Sequence, residues 1–314
     1  MKSIRANLAP ILRALTWTIV AATALYLLLL QPGIRASGVV TAFSIVGRGP
    51  GCPLAQAIPA YRARLLQEKV IQDIGNASRI VREDGDFLLY RTSAGEFWTP
   101  RGMNLPSLLS EQQVKYRAVG GLSLRPGDVV LDCGAHVGVF TRAALEAGAR
   151  IVVAIEPSPR NLWCLRRTFG AEIASGRVLL YPKGVWDRED TLEFRESTTS
   201  AEDSLVMRRG EQRGLIRVPV TTIDRLVSEL NLDRVDFIKM DIEGAERRAL
   251  AGAANTLARF RPRLEVAVNH LPDDLEVIPA VIRRAWPGYT ETCMLCFVDQ
   301  PTWTLKPENL YFHP

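Results

Sequence analysis

The residues best placed to do chemistry in this 314-residue chain lie in three short stretches. The first, residues 129–138, reads Val-Val-Leu-Asp-Cys-Gly-Ala-His-Val-Gly. Residues 129–131 are apolar without interruption, as expected of a parallel strand buried on both faces, and Asp132 stands at its carboxyl end. Gly134 and Gly138 permit a tight turn and a close backbone approach to a ligand, and residues 140–147 have helical composition. The second stretch, residues 151–155, is another apolar strand and ends at Glu156. A strand-turn-helix-strand unit with an acid at each strand end is the nucleotide-binding half of a doubly wound sheet. The third stretch, Lys239-Met-Asp-Ile-Glu-Gly-Ala-Glu246, sets Asp241, Glu243 and Glu246 behind a further buried strand. Gly244 allows a turn into a helix whose amino terminus stabilises Glu246. Taken alone these acids would be solvated helix caps. At the same sheet edge as Asp132 and Glu156 they read as functional.

Glycine spacing selects the ligand. A dinucleotide needs G-x-G-x-x-G so that its pyrophosphate can sit on a helix amino terminus. This chain has D-x-G-x-x-x-G, with Asp132 where a phosphate would have to be. An anion is repelled there and a cation is favoured. S-Adenosyl-L-methionine carries an ammonium, a sulfonium and a ribose diol that Glu156 can accept hydrogen bonds from, so it is preferred to NAD as the expected cofactor.

The elements that must hold these residues alternate. Strands are expected at 178–181, 191–194, 216–220, 235–240 and 263–268, and helices at 161–169, 223–230, 245–260 and 279–285. Thr222 is a fair N-cap, and late strands near 291–298 and 302–305 close the sheet. This pattern predicts one α/β domain with a mainly parallel sheet and helices on both faces. Ahead of it, residues 87–90 and 96–98 flank Ser93-Ala94-Gly95 as a β-hairpin. Residues 61–74 and 110–119 have helical spacing, and residues 31–60, rich in Gly and Pro, read as a linker. Charged residues make up 23% of the chain and hydrophobic ones 47%, with a net charge of +5. No basic stripe interleaved with aromatics is present, which argues against a nucleic-acid partner. Cys52, Cys133, Cys164, Cys293 and Cys296 include no second C-x-x-C pair, which argues against zinc, and buried free thiols are expected.

Residues 14–30 are uncharged and finish in four leucines, close to the ~20 residues that span a bilayer. With Lys2, Arg5 and Arg13 before them and no small-residue cleavage site after, they read as an uncleaved single-pass membrane anchor. The positive-inside rule then sends the catalytic domain to the far side of the membrane, in conflict with a cytosolic cofactor unless downstream arginines override the bias. Residues 39–46 form a weaker apolar stretch, too short to span alone. The expected organisation is an anchor at 1–35, a linker and hairpin-bearing extension at 36–109, and the enzyme domain at 110–314.

Taken together, Asp132-Cys-Gly-Ala-His-Val-Gly138, Glu156-Pro-Ser-Pro-Arg-Asn161, Thr222-Ile-Asp224, the 238–246 run and the ending Asn309-Leu-Tyr-Phe-His-Pro314 resemble the FkbM family of S-adenosylmethionine-dependent methyltransferases. The resemblance covers residues 110–314. It implies the class I methyltransferase Rossmann-like fold, a seven-stranded sheet in the order 3-2-1-4-5-7-6 with the last strand antiparallel. It also implies methyl transfer to a hydroxyl of a sugar, glycan or other small molecule. Cofactor-binding residues carried over are Asp132, Gly134, His136, Gly138, Glu156, Pro157 and Asp241; His136 stands where the family often has Asn. The acceptor's proton needs a base, and Asp241, Glu243, Glu246 and His270 are the candidates. Asp241 is favoured, and no metal is assigned. The competing reading is a non-catalytic membrane-anchored module that keeps the fold.

Overall fold

The computed structural model describes residues 18, 20, 23, 31–118, 124–197, 203–207, 212–300 and 302–314. Two helices come first, α1 (Pro32–Ile45) and α2 (Leu54–Ala77). An antiparallel sheet of β1 (Arg79–Asp84), β2 (Phe87–Thr92) and β3 (Gly95–Pro100) leads into α3 (Leu105–Ala118). The main domain opens with β4 (Val129–Cys133), α4 (Val139–Glu146), β5 (Ile151–Ile155), α5 (Pro159–Thr168), α6 (Gly170–Ala174) and β6 (Val178–Tyr181). A small sheet of β7 (Gly184–Val185), β8 (Asp190–Ser197) and β9 (Gln212–Thr221) precedes α7 (Ile223–Glu229). Then come β10 (Phe237–Met240), α8 (Glu246–Ala251), α9 (Ala254–Phe260) and β11 (Arg263–Ala267). The chain closes with α10 (Asp274–Ala285), β12 (Thr290–Asp299) and β13 (Thr304–His313).

The large sheet runs β12-β13-β11-β10-β4-β5-β6. Counted along the chain this is the expected order 3-2-1-4-5-7-6, with β13 antiparallel to β11. Every residue of β4, β10 and β11 is buried, which is why these strands read as nearly unbroken apolar runs. Leu131, Val153, Ile238 and Leu264 face one core layer, while Val130, Val152 and Phe237 face the other with Phe140 and Leu165. Each such side chain contributes about 1.5–3 kcal/mol by leaving water. The parallel register sets Met240 beside Cys133 and Cys133 beside Ile155. The next residues of all three strands therefore emerge at one sheet edge.

Five expectations change. The linker is helical: α1 and α2 occupy most of residues 31–60, with Pro32 and Pro53 at helix starts, where a missing N–H costs nothing. The hairpin at 87–98 gains a third strand, β1. The expected helix over 245–260 is two helices, because Asp224 caps a new start: its carboxylate accepts from the N–H groups of Asn255 and Thr256 at 3.0 and 2.7 Å. Thr222 caps α7 as expected, accepting from Arg225 N.

The fourth correction concerns the membrane anchor. Among the described residues no helix is long and apolar enough to cross a membrane. The 14 residues of α1 rise roughly 21 Å, short of the ~30 Å hydrocarbon core. The 24-residue α2 is long enough but carries Arg62, Arg64, Glu68, Lys69 and Asp73. The apolar run at 14–30 lies outside the described residues except for Thr18, Val20 and Thr23. The extension instead docks on the sheet: Val40, Ala57 and Ala60 pack against Cys296 and Leu305, so the edge strand β12 is covered. Contrary to the expectation of five free thiols, Cys52 and Cys293 form a disulfide across a sequence separation of 241, while Cys133, Cys164 and Cys296 are free and buried.

Candidate functional site

The turn after β4 is held from two sides. The N–H groups of Gly134 and Ala135 both donate to Ile155 O at 3.0 Å, which draws the turn across the end of β5. Gly134 has φ +77°, and a Cβ there would collide with the Asp241 carbonyl. Gly138, at φ +89°, starts α4, and a Cβ on it would run into the Phe169 ring. His136 also sits at positive φ, +53°. Asn is enriched in this left-handed region along with His, so the family's Asn and this chain's His satisfy the same backbone demand.

Glu156 is buried and fixed by this turn. Its Oε2 accepts from His136 N and its Oε1 from Ser158 N, both at 2.8 Å. Burial pushes its carboxyl up to about 7, against the pull of those two N–H donors. Each oxygen keeps a second lone pair for a ligand. Burial, followed by the field of Lys239, lowers the His136 ring to about 4, so it is neutral near pH 7.

Asp132 lies behind the wall. It is fully buried, accepts from Thr141 Oγ1 at 2.6 Å, and stands 3.7 Å from Lys239 Nζ. Lys239 also donates to Gly134 O at 2.9 Å. Burial raises the Asp132 carboxyl, and Lys239 and Thr141 oppose that shift. Asp132 and Lys239 thus brace the glycine turn from beneath, and the charge expected to select a cation is already balanced there. Lys239 was legible as a charge inside an otherwise apolar strand, but its partner was not.

The acidic turn after β10 meets the end of β11. Glu246 is buried; its Oε1 accepts from Ile242 N at 2.8 Å and lies 2.9 Å from His270 Nδ1. His270 Nε2 faces Asp241 Oδ1 at 3.6 Å and Glu243 Oε1 at 3.5 Å. Burial favours the neutral ring, but Glu243 and Glu246 override it and hold the His270 pKa up at about 11. Near neutrality His270 is therefore an imidazolium donating from both nitrogens, and cannot itself take a proton. Asp241, Glu243 and His270 each offer one ligand atom within 4.8 Å of the others, so this trio is also the place where a metal ion could be held.

A cavity of about 330 Å³ opens between the two turns. Of the expected residues Gly134, His136, Glu156, Pro157, Asp241, Glu243 and His270 line it; Asp132, Gly138 and Glu246 stand behind as supports. Its lining also includes Glu111 from α3, Asp203 from the segment between β8 and β9, and Glu308 from β13, none of which the sequence motifs single out. With Glu156, Asp241 and Glu243 these make six carboxylates, against the cations Lys239 and His270. The wall is acidic in a chain whose net charge is +5.

The family model described as the methyltransferase FkbM domain matches residues 132–285, the span that holds both turns and most of this wall. Over these residues the chain is similar to methyltransferase FkbM domains. The 2-O-methyltransferase NoeI of Sinorhizobium fredii is 26% identical over 162 residues, covering 46% of this chain and 65% of that protein. The 31-O-demethyl-FK506 methyltransferase FkbM of Streptomyces tacrolimicus is 28% identical over 181 residues, covering 49% of this chain and 68% of its own. The chain thus spans about two thirds of the length of these relatives. Among solved structures, methyltransferase FkbM from Methylobacillus flagellatus KT is similar at 21% identity and a TM-score of 0.45, covering 67% of this chain and 54% of that one. The matched span ends before β12 and β13, and Glu111 and Glu308 reach the cavity from outside it.

Proposed function

We propose that this protein is an S-adenosyl-L-methionine-dependent O-methyltransferase acting on a hydroxyl of a small molecule such as a sugar. The observation that carries the proposal is the acidic cavity with Glu156 at one end and the Asp241, Glu243 and His270 cluster at the other. Asn161 Oδ1, Asp203 Oδ2 and Asn309 Oδ1 are buried in residues of this wall without partners among the described residues. Such a wall suits a cationic group rich in hydroxyl and amine donors and disfavours a pyrophosphate. Of the curated relatives, one is named a 2-O-methyltransferase and another a 31-O-demethyl-FK506 methyltransferase, which supports a hydroxyl acceptor here.

When bound, the cofactor supplies an activated methyl group. The chain's own residues do the rest. The glycine turn, closed on the Asp241 carbonyl, fixes the backbone edge against which the donor lies. Glu156 receives ribose hydroxyls. Asp241 takes the acceptor's proton, while His270, charged and held by Glu246, keeps the neighbouring carboxylates apart and oriented. Positioning supplies most of the acceleration, and proton removal on the order of 10²–10⁴-fold.

The test is transfer of labelled methyl from S-adenosyl-L-methionine to a panel of sugars and polyols by the full chain. Asp241→Asn is expected to lower kcat by about 10²-fold or more, with donor affinity held within a few fold. An undiminished kcat in Asp241→Asn rejects Asp241 as the base. Binding without transfer to any hydroxyl rejects the activity.

A further inference from the structure

The strand register that gathers the motif turns also reaches β13. Met240 pairs with Val266 on β11, so Asp241 comes level with Ala267, and Ala267 pairs with Asn309 on β13. On the other side Met240 pairs with Cys133 and Cys133 with Ile155, which sets Gly134 and Glu156 in the same row. Asp241 thus stands two strands from Glu156 and two strands from Asn309, about 10 Å of sheet each way at the usual strand spacing. Glu156, Asp241 and Asn309 all line the one cavity. With the donor's ribose on Glu156 and its methyl group at Asp241, the half from Asp241 to Asn309 remains for the acceptor.

Asn309 is 1% exposed, and its Oδ1 is shielded from solvent with no partner among the described residues. Its cross-strand neighbours, Ala267 and Met294, have no side-chain donor to offer it. A buried amide oxygen left unmet costs on the order of 1–3 kcal/mol, which a ligand donor recovers. The carboxylates at this end are differently placed. Glu308 faces Arg64 of α2 at 3.6 Å, and Asp241 and Glu243 face the His270 imidazolium at 3.6 and 3.5 Å. Charge there already has counter-charge, whereas the neutral Asn309 oxygen lacks only a donor, so a hydroxyl suits the place better than an ammonium. A second such atom comes from α3. Leu108, Glu111 and Gln112 line the cavity at the i, i+3, i+4 spacing of one helix face, and Gln112 Oε1 is also shielded and without a partner among the described residues. Neither α3 nor β13 belongs to the span that the family model matches.

We propose that Asn309 is an acceptor-binding residue, its Oδ1 accepting from a second hydroxyl of the molecule whose first hydroxyl is methylated beside Asp241. The inference rests on the proposed O-methyltransferase reading and narrows its acceptor to a polyol, because a molecule with one hydroxyl leaves Asn309 unmet. A single pyranose or cyclitol ring bridges the span from Asp241 to Asn309 with a hydrogen bond at each end.

The test uses the full chain, labelled S-adenosyl-L-methionine and a set of methyl hexopyranosides with each ring hydroxyl in turn replaced by hydrogen. Cyclohexanol serves as an acceptor with one hydroxyl. In the wild type two ring positions are expected to matter. Removing the methylated hydroxyl abolishes transfer, and removing one other raises KM by at least about tenfold. Asn309→Ala is expected to raise KM for the intact sugar by a similar factor, with kcat changed much less and with calorimetric affinity for S-adenosylhomocysteine unchanged. It no longer tells the intact sugar from that second deoxy form. Asn309→Asp keeps an oxygen at the place and keeps the distinction. A wild type indifferent to every hydroxyl but the methylated one overturns the inference without any variant. So does a distinction that survives Asn309→Ala in protein whose unfolding midpoint is unchanged, or a loss of S-adenosylhomocysteine affinity in that variant. Transfer to cyclohexanol as readily as to any sugar of the set overturns the polyol assignment and leaves the O-methyltransferase reading standing. No transfer to either class by a chain that binds S-adenosylhomocysteine rejects that reading, and this inference with it.

Discussion

At the residue scale, the His270 cluster joins four side chains that the sequence named from two separate stretches. Proximity of Glu246 to His270 was not legible, because 24 residues and a whole helix pair separate them. Parallel pairing of β10 with β11 brings their ends level and makes the contact. The His270 ring is held up at about 11 in the fold, against 6.5 as its ordinary value. Its contribution to stability is therefore complete below about pH 6.5 and is lost as pH rises toward 11. Between about pH 7 and 8.5, below the range where thiols and phenols titrate, the Tm of the full chain is expected to fall. His270→Gln should flatten that slope. Parallel pH dependences of wild type and variant, measured by calorimetry, would contradict the imidazolium assignment. Lys239 and Asp203 mark what sequence reasoning passed over. The first sat inside a motif as a spacer, and the second sat in a polar loop with no periodic signal.

At the scale of elements, the motif strands and the glycine turn were legible because apolar runs, terminal acids and glycines each have one physical use in a parallel sheet. Boundaries were less so: the expected helix over 245–260 breaks where a distant residue, Asp224, supplies a cap. Residues 31–60 misled because their Gly and Pro content suggested a linker, whereas Pro32 and Pro53 start helices. The glycine turn is the element on which the cavity depends. Gly134→Ala meets a strained φ and the Asp241 carbonyl together. It is expected to cost about 1–3 kcal/mol or more in stability and to weaken donor binding strongly. Chemical denaturation and ligand titration of the same variant check both. Unchanged donor affinity would mean that the turn does not border the donor.

For the whole molecule, the order of the seven strands is the one the family resemblance implied, but the covering of β12 by α1 and α2 was not legible. It rests on contacts between the two ends of the chain, which no local pattern encodes. The Cys52–Cys293 disulfide fastens the same junction, and Gln56 Oε1 accepts from Cys293 N at 3.0 Å beside it. Closing so long a loop is expected to contribute about 2–5 kcal/mol. Reductant should lower the Tm of the wild type, and should leave Cys52→Ser unaffected at the lower value. Equal Tm with and without reductant would mean that the bond adds no stability.

The claim on which the functional account stands is that the acidic cavity seats S-adenosyl-L-methionine with Glu156 on its ribose. Calorimetric titration of the full chain with that ligand measures it most directly. One saturable site per chain is expected, weakened about tenfold or more in Glu156→Ala. No binding by a folded wild-type chain, or an affinity indifferent to Glu156, would contradict it.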